Sequence, residues 1–260
     1  MGLVQLLSFV VCWPFLFASL GFGQRVPPES RAASSKTWVG HYQEVEEYLR
    51  TAECILVENY GSRKNSQGGP SQKRCTLRPG GPVARMAWKT FPPGATRGFR
   101  ESYKAEIAAY EVDKLLKLDM VPPTVERELE GHSGAATAWI EGVVDLKAGG
   151  TGAPDTARWE EQLARMDMFD ALIGNGERNM GNAIRDPLWN LILVDHSRAF
   201  GAATEPLPEL KGIDKEFWRR IEGLTRAELD AALGSWIDQE QIAAILDRRE
   251  RMRAAFGRRP

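Results

Sequence analysis

The sequence predicts an α+β protein with two lobes and a cleft between them. Short runs of apolar and β-branched residues, separated by Gly and Pro, fill much of the first half after residue 40. The apolar period then changes to three-to-four spacing, which is typical of amphipathic helices. Strands with one helix, followed mainly by helices, make an α+β architecture, and ligand sites favour the junction of two such lobes.

Composition limits the class of partner. The 260 residues are 43% hydrophobic, enough for one sizeable core or two small lobes. The 34 Lys and Arg nearly balance the 35 Asp and Glu, so no overall field favours nucleic-acid binding. The partner must therefore be inferred from a site.

The first residues form an apolar leader, "MGLVQLLSFVVCWPFLFASLGFGQ". Small residues near its end predict a cleaved signal peptide over residues 1–23. The segment lacks Lys and Arg and is nearly long enough to span a bilayer, so an uncleaved anchor is an alternative, as is a wrongly chosen start codon. Residues 24–40, rich in Pro, Ser and Arg, are predicted to be a linker. The folded part is thus expected to be exported or anchored to a membrane.

Two cysteines remain if the leader is removed. Cys54 and Cys75 flank "GSRKNSQGGPSQKR" and could close it as a disulfide in an oxidising compartment. The alternative is a pair of unlinked strand cysteines. A zinc site is disfavoured because the three histidines are far apart in the sequence.

The first elements are three strands and a helix. An antiparallel meander is predicted from "ECILVENYG", "KRCTLR" and "ARMAWKTF". Ile107, Tyr110 and Leu118 then mark an amphipathic helix in "ESYKAEIAAYEVDKLLKL", which "VPPTV" stops. A further strand is predicted in "GAATAWIEGVV".

The remaining elements are mostly helical. A long helix is predicted in "TARWEEQLARMDMFDALIG", a strand in "WNLILVD", and helices in "TRAELDAALGSW" and "DQEQIAAILDRRERMRAAF". The chain shows no internal repeat.

Lys89 and Glu106 are candidates for an ion pair in the cleft. Lys89 lies in the third strand, among apolar residues that would bury its stem; a surface lysine with a snorkelling chain is the alternative. Glu106 lies on the helix side expected to face the sheet, where a carboxylate needs a cation. Kinases use a strand lysine held by a helix glutamate to bind ATP phosphates.

A second cluster follows the long helix, in "IGNGERNMGN" and "LILVDHSRAFG". Glu177 offers a base, while Asn182 and Asp195 offer two oxygen ligands. Mg²⁺ prefers such hard donors and commonly takes one or two protein ligands plus phosphates. Taken singly, Asn182 could be a turn residue and Glu177 a solvated loop charge.

This segment resembles the catalytic segment of the phosphatidylinositol 3/4-kinase-like superfamily and its bacterial relatives. The matching residues are "GNGERNMGN" and "LVDHSRAFG". Golgi casein-kinase-type secretory kinases and HipA-like kinases have a similar segment. "KAEIAAYEVDKLLKLDMVPPTV" is similar to the family's glutamate-bearing helix and "SWIDQEQIAAILDRRERM" to its closing helix, so the resemblance covers most of residues 89–252.

The resemblance implies a two-lobed protein-kinase-like fold with a small antiparallel-sheet N-lobe, one helix in it, and a mostly helical C-lobe. The kinase-like domain would span 41–256, with the N-lobe at about 41–140 and the C-lobe at about 141–256. The cofactors implied are ATP and Mg²⁺, or Mn²⁺ in its place.

The resemblance also implies roles for particular residues. Lys89 would hold the ATP phosphates and Glu106 would orient Lys89. Asn182 and Asp195 would bind the metal. The adenine would lie against the hinge "TAWIEG", whose residues include Trp139, Ile140 and Glu141.

One position departs from the family. Glu177 stands where the family has its catalytic Asp, and the extra methylene could displace the base by about an ångström. The leading hypothesis is a kinase that phosphorylates a protein Ser/Thr or a lipid or small-molecule hydroxyl. A pseudokinase that binds nucleotide or a partner without turnover is the second hypothesis, and an interaction domain without a nucleotide site is the third. Asp170 and Asp167 are the next candidates for the base.

Overall fold

A computed structural model describes residues 34–61, 71–91, 94–96, 99–176, 178–201, 207, 210 and 212–256. All of them belong to the compact unit Ala32–Pro260. The leader 1–23, the linker up to residue 33 and Glu177 lie outside the described residues. Within the described ranges, no helix is both long and apolar enough to cross a membrane.

In the described part of the chain, strands predominate up to residue 138 and helices predominate after it. The strands are β1 Cys54–Asn59, β2 Gln72–Leu77, β3 Arg85–Lys89, β4 Gly94–Thr96, β5 Phe99–Glu101, β6 Thr124–Leu129, β7 His132–Ala138, β8 Val144–Asp145, β9 Ala183–Arg185 and β10 Leu191–Leu193. The helices are α1 Tyr42–Thr51, α2 Tyr103–Leu116, α3 Leu146–Gly149, α4 Thr156–Ile173, α5 Lys215–Gly223, α6 Arg226–Leu233 and α7 Gln239–Phe256.

The N-terminal part is built on a five-stranded antiparallel sheet in the order β1-β2-β3-β7-β6. The meander of the first three strands is as the sequence predicts. Met86 and Trp88 of β3 are buried in the core of one face of the sheet. Because side chains alternate along a strand, Ala87 and Lys89 lie on the opposite face, toward the cleft.

A disulfide joins Cys54 of β1 to Cys75 of β2, with 5.6 Å between the Cα atoms. It closes a loop of 21 residues in sequence separation, which confirms the pairing that the sequence left open. Cys75 is fully buried in the core beneath the sheet.

Helix α2 connects the sheet to the helical part. The Ser102 hydroxyl accepts the Lys104 N–H and begins the helix as an N-cap. The helix ends at Lys117, which adopts a left-handed conformation (φ 48°). The buried Asp113 carboxylate then accepts the backbone N–H groups of Met120 and Val121, so the turn into β6 is fixed.

The C-terminal part is a helical core. Helices α4 and α7 pack together, and α2 contacts α5 and α6. Phe169, Leu172 and Phe217 are among the fully or almost fully buried residues of this core. Thr225 and Glu228 form a capping box at the start of α6. The α+β prediction, with a sheet-and-helix first part and a helical second part, is confirmed.

Some elements differ from the sequence prediction. The strand expected over "GAATAWIEGVV" ends at Ala138, because Trp139 N–H makes the last sheet contact, to the Arg85 carbonyl. Helix α1 and strand β6 were not predicted. Trp38, in the predicted linker 24–40, is 1% exposed and packs in the core under the sheet.

Candidate functional site

Lys89 lies at the centre of the cleft. Its Nζ donates to Glu106 Oε1 at 2.5 Å and to Asp195 Oδ1 at 2.8 Å. The lysine side chain is 13% exposed. Burial alone would lower the pKa of Lys89, but the carboxylates of Glu106 and Asp195 raise it above its usual value. The group is therefore a fixed positive charge held between two carboxylates.

Glu106 links Lys89 to the chain after β10. Helix α2 presents this carboxylate inward, where it is 4% exposed. One oxygen accepts from Lys89 and the other accepts the backbone N–H of His196 at 2.8 Å. Glu106 therefore orients the lysine and the residue that follows Asp195 at the same time.

Asn182 precedes the β9–β10 hairpin and Asp195 follows it. Asn182 lies one residue before β9 and Asp195 two residues after β10, so the antiparallel pairing brings them together. Asn182 Nδ2 donates to Asp195 Oδ2 at 3.1 Å. Asp195 has a left-handed backbone (φ 63°), which is uncommon for a residue other than glycine.

The two side chains fit a hard divalent cation. A carboxylate and a carboxamide are oxygen donors, and Mg²⁺ commonly takes one or two protein ligands with the rest from phosphates and water. Within the described ranges, no group of three His, Cys, Asp or Glu side chains converges as a metal site. Asn182 and Asp195 could together supply two oxygen ligands to such an ion.

Arg178 supports both oxygen-bearing residues, a role that the sequence reasoning missed. This guanidinium, 9% exposed, forms a two-point ion pair with Asp170, at 2.8 and 2.7 Å. It also donates to the carbonyls of Asn182 and Val194, at 3.0 and 2.9 Å. In the sequence, the available signal is its place directly after Glu177, within "GNGERNMGN".

His196 is neutral and accepts a hydrogen bond. Burial, together with the positive charges of Arg178 and Lys89, holds the pKa of His196 well below its usual range. Its Nε2 lies 2.9 Å from Arg178 Nη2, so the unprotonated ring nitrogen is the acceptor of that contact. The ring packs edge-on against Phe169 of α4.

A cavity of about 500 Å³ opens beside Lys89. Its wall includes residues of both parts of the chain: Lys89, Thr137, Trp139, Ile140, Asn182 and Asp195. It has an apolar end as well as a charged end, which suits a ligand with an aromatic ring and an anionic group.

The predicted hinge residues do not behave alike. Trp139 and Ile140 line the cavity. Trp139 stacks edge-on with Tyr60 and has the guanidinium groups of Arg74 and Arg85 within 5.5 Å of its ring. Glu141 is not in the wall; its carboxylate pairs with Arg85 at 2.5 Å, near the surface.

Glu177, the predicted base, lies outside the described residues. Of the two reserve candidates, Asp170 is 3% exposed and its carboxylate is bound by Arg178 and Asn175. Arg178 holds both oxygens of this carboxylate, and Asp170 does not line the cavity. The structure therefore argues against Asp170 as a base.

The fold is shared with solved kinase structures. The Golgi casein kinase with Mn/ADP bound matches over 82% of this chain and 74% of its own, with a TM-score of 0.58 at 14% identity. The Fam20 protein of hydra, with sugar, matches over 83% and 88%, with a TM-score of 0.58 at 14% identity. The Helicobacter pylori proinflammatory kinase CtkA matches over 82% and 98%, with a TM-score of 0.54 at 11% identity.

No protein-family model matches the chain, and no curated protein matches it by sequence. At these identities the likeness establishes the fold alone. The predicted protein-kinase-like fold is confirmed, as is the resemblance to Golgi casein-kinase-type proteins at the level of structure. Membership of the phosphatidylinositol 3/4-kinase-like superfamily stays a prediction.

Proposed function

We propose that the protein is an ATP- and Mg²⁺-dependent phosphotransferase. One observation carries this proposal: Lys89 Nζ lies within 2.8 Å of both Glu106 and Asp195, beside a cavity lined by Trp139 and Asn182. A fixed cation can hold the phosphates of a nucleotide, and a pair of oxygen donors can hold its metal ion. The apolar end of the cavity can hold its base. The fold shared with a kinase that has Mn/ADP bound supports the same ligand.

Each residue has a distinct part in this proposal. Lys89 binds the phosphates, and Glu106 fixes the direction of its ammonium group. Asp195 and Asn182 hold Mg²⁺, or Mn²⁺ in its place, and the metal neutralises charge on the phosphates when it is bound. Trp139 and Ile140 receive the adenine. Glu141 would act from outside the cavity, through its ion pair with Arg85.

Glu177 is the proposed general base for the acceptor hydroxyl. The acceptor is a protein Ser/Thr or a lipid or small-molecule hydroxyl, since the fold does not choose among them. A pseudokinase that binds nucleotide or a partner without turnover is the second candidate. The observation that favours it is the Glu at position 177, where the family that this segment resembles has Asp.

We further propose that the kinase-like domain, residues 41–256, works in the secretory pathway or is anchored to a membrane by the N-terminal apolar segment. The Cys54–Cys75 disulfide supports this proposal because such bonds persist in oxidising compartments. The likeness to the Golgi casein kinase points the same way.

Turnover is the test. Purified protein is incubated with Mg²⁺ and ATP labelled in the γ-phosphate, with casein, phosphoinositide vesicles or monosaccharides as acceptors. Label transfer by the parent that is lost in Asp195→Ala supports the kinase. No transfer to any acceptor and no ATP hydrolysis, in a parent that binds nucleotide, would support the pseudokinase.

A further inference from the structure

The three residues after Asp195 each contact the end of strand β5 or the start of helix α2. His196 donates its backbone N–H to Glu106 Oε2 at 2.8 Å. The Ser197 carbonyl accepts the Ser102 N–H at 2.9 Å. Arg198 Nε donates to Glu101 Oε1 at 2.6 Å. Consecutive residues of one segment are thus fixed to the short stretch that runs from the last residue of β5 to the first turn of α2.

These contacts surround a strained residue. Asp195 is left-handed (φ 63°), and a non-glycine residue keeps such a conformation only where the neighbouring structure imposes it. Its carboxylate also accepts from Ser197 Oγ at 3.3 Å. The chain beyond Asp195 therefore has to be held in place if the carboxylate is to stay beside Lys89 and Asn182.

Of the three contacts above, the Glu101–Arg198 contact is the one formed by two charged side chains. Glu101 is 5% exposed and Arg198 is about one third exposed, so the pair is largely removed from water. Neither residue lines the cavity. Among the described residues, the pair is connected to the cavity through the segment that contains Asp195 and Arg198.

We propose that Glu101 and Arg198 are positioning residues that hold Asp195 in its left-handed conformation and thereby set the metal affinity of the cleft. The metal part of this inference rests on the proposed function; the conformational part does not. Residues that orient a metal ligand commonly change metal affinity by about 10–100-fold when they are removed.

A matched control is available in the same chain. Arg165 and Asp214 form an ion pair at 2.7 Å, with side chains 31% and 8% exposed, against 31% and 6% for Arg198 and Glu101. Neither Arg165 nor Asp214 lines the cavity. Arg165→Met therefore removes a pair of similar burial from another place.

The first measurement is hydrogen exchange of the peptide 193–199, read by mass spectrometry without nucleotide. Glu101→Gln keeps the side-chain volume and lies far from this peptide in sequence. We expect the His196 amide to lose protection in Glu101→Gln and in Arg198→Met, and to keep most of it in Arg198→Lys. Arg165→Met should exchange as the parent does in this peptide. Unchanged protection in Glu101→Gln overturns the proposal, even if the arginine variants fail to fold.

The second measurement is the Mg²⁺ concentration that half-saturates the metal-dependent part of ADP binding. Glu101→Gln should raise it at least about tenfold and leave ADP binding in EDTA unchanged, while Arg165→Met should leave both unchanged. Lost protection with unaltered Mg²⁺ dependence overturns the metal part. A parent that binds no ADP refutes the proposed function instead, and the exchange experiment still decides whether the pair holds Asp195.

Discussion

Replacing Lys89 by Met tests the buried ion pair at the centre of the cleft. Methionine preserves most of the side-chain volume, but among the described residues it leaves the Glu106 carboxylate, 4% exposed, with the His196 N–H as its remaining hydrogen-bond donor. Breaking a buried pair by removing one partner costs about 3–5 kcal/mol, because the remaining charge is uncompensated. For a domain of this size that corresponds to a fall in Tm on the order of 10 °C at neutral pH.

The loss should depend on pH in a defined direction. Burial raises the pKa of Glu106 even beside Lys89, and without the lysine it rises further. A carboxyl with a raised pKa binds its proton more tightly in the folded state, so the variant loses stability as pH rises above about 4.3, the unfolded value. The raised pKa of Lys89 keeps the parent's contribution complete below about pH 10.4.

Urea unfolding at pH 5 and pH 8 measures both effects. Lys89→Met should be less destabilised at pH 5 than at pH 8. The double variant Lys89→Met/Glu106→Gln removes the charge from both positions, so it should regain stability at pH 8 and show no such pH dependence. If the single variant is destabilised equally at both pH values, and the second change gives no relief, Lys89 does not compensate a buried Glu106 charge.

Three further predictions concern the metal, the base and the disulfide. Asp195→Ala should abolish the Mg²⁺ dependence of nucleotide binding measured by calorimetry, because the charged oxygen ligand is lost. Glu177→Asp should preserve or raise turnover, whereas Glu177→Gln should lower it on the order of 10²–10⁴-fold in a kinetic assay. Replacing Cys54 and Cys75 together by Ser should lower the free energy of unfolding by about 2–4 kcal/mol in denaturant titrations, because the closed loop restricts the unfolded chain.

Each of these has a contrary result. Unaltered Mg²⁺ dependence in Asp195→Ala would exclude its metal role. Equal turnover of Glu177→Gln and the parent would exclude Glu177 as the base, and Asp167 would be the next candidate. No transfer by the parent and gain of activity in Glu177→Asp would identify a pseudokinase. A cysteine double variant as stable as the oxidised parent would contradict the disulfide's stabilising role.

Local patterns were enough to predict much of the fold. The change from strand runs to helical periodicity gave the sheet-and-helix first part and the helical second part. Helix α1 was missed because only Val45 and Leu49 of its ten residues are buried, so its apolar face is narrow among many charges. Strand β6 was missed because it follows two prolines and because exposed charged residues alternate along it with less exposed ones.

The candidate site was only partly readable from the sequence. Lys89, Glu106, Asn182 and Asp195 each lie within a short motif, and the structure brings all four together. Glu141 lies in the same motif as Trp139, but its side chain is directed out of the cavity and its carboxylate pairs with Arg85.

Other features depend on long-range contacts. Glu101 and Arg198 lie 97 residues apart, in the segments "ESYKAEIAAYEVDKLLKL" and "LVDHSRAFG", and neither segment indicates that the two residues pair, so their pairing follows only from the fold. Arg178 has a motif position, but its partners Asp170 and Val194 come from two other elements. Spacing along a chain does not give such contacts.

Calorimetric titration of the parent protein with ATP, in Mg²⁺ and in EDTA, tests the nucleotide site most directly. We predict one binding site per chain, with tighter binding in Mg²⁺ than in EDTA. Binding should be weaker in Lys89→Met/Glu106→Gln, which replaces both charged side chains by neutral ones of similar size. Absence of binding at millimolar ATP in Mg²⁺, by a protein whose folded state is verified by its cooperative unfolding, would contradict it.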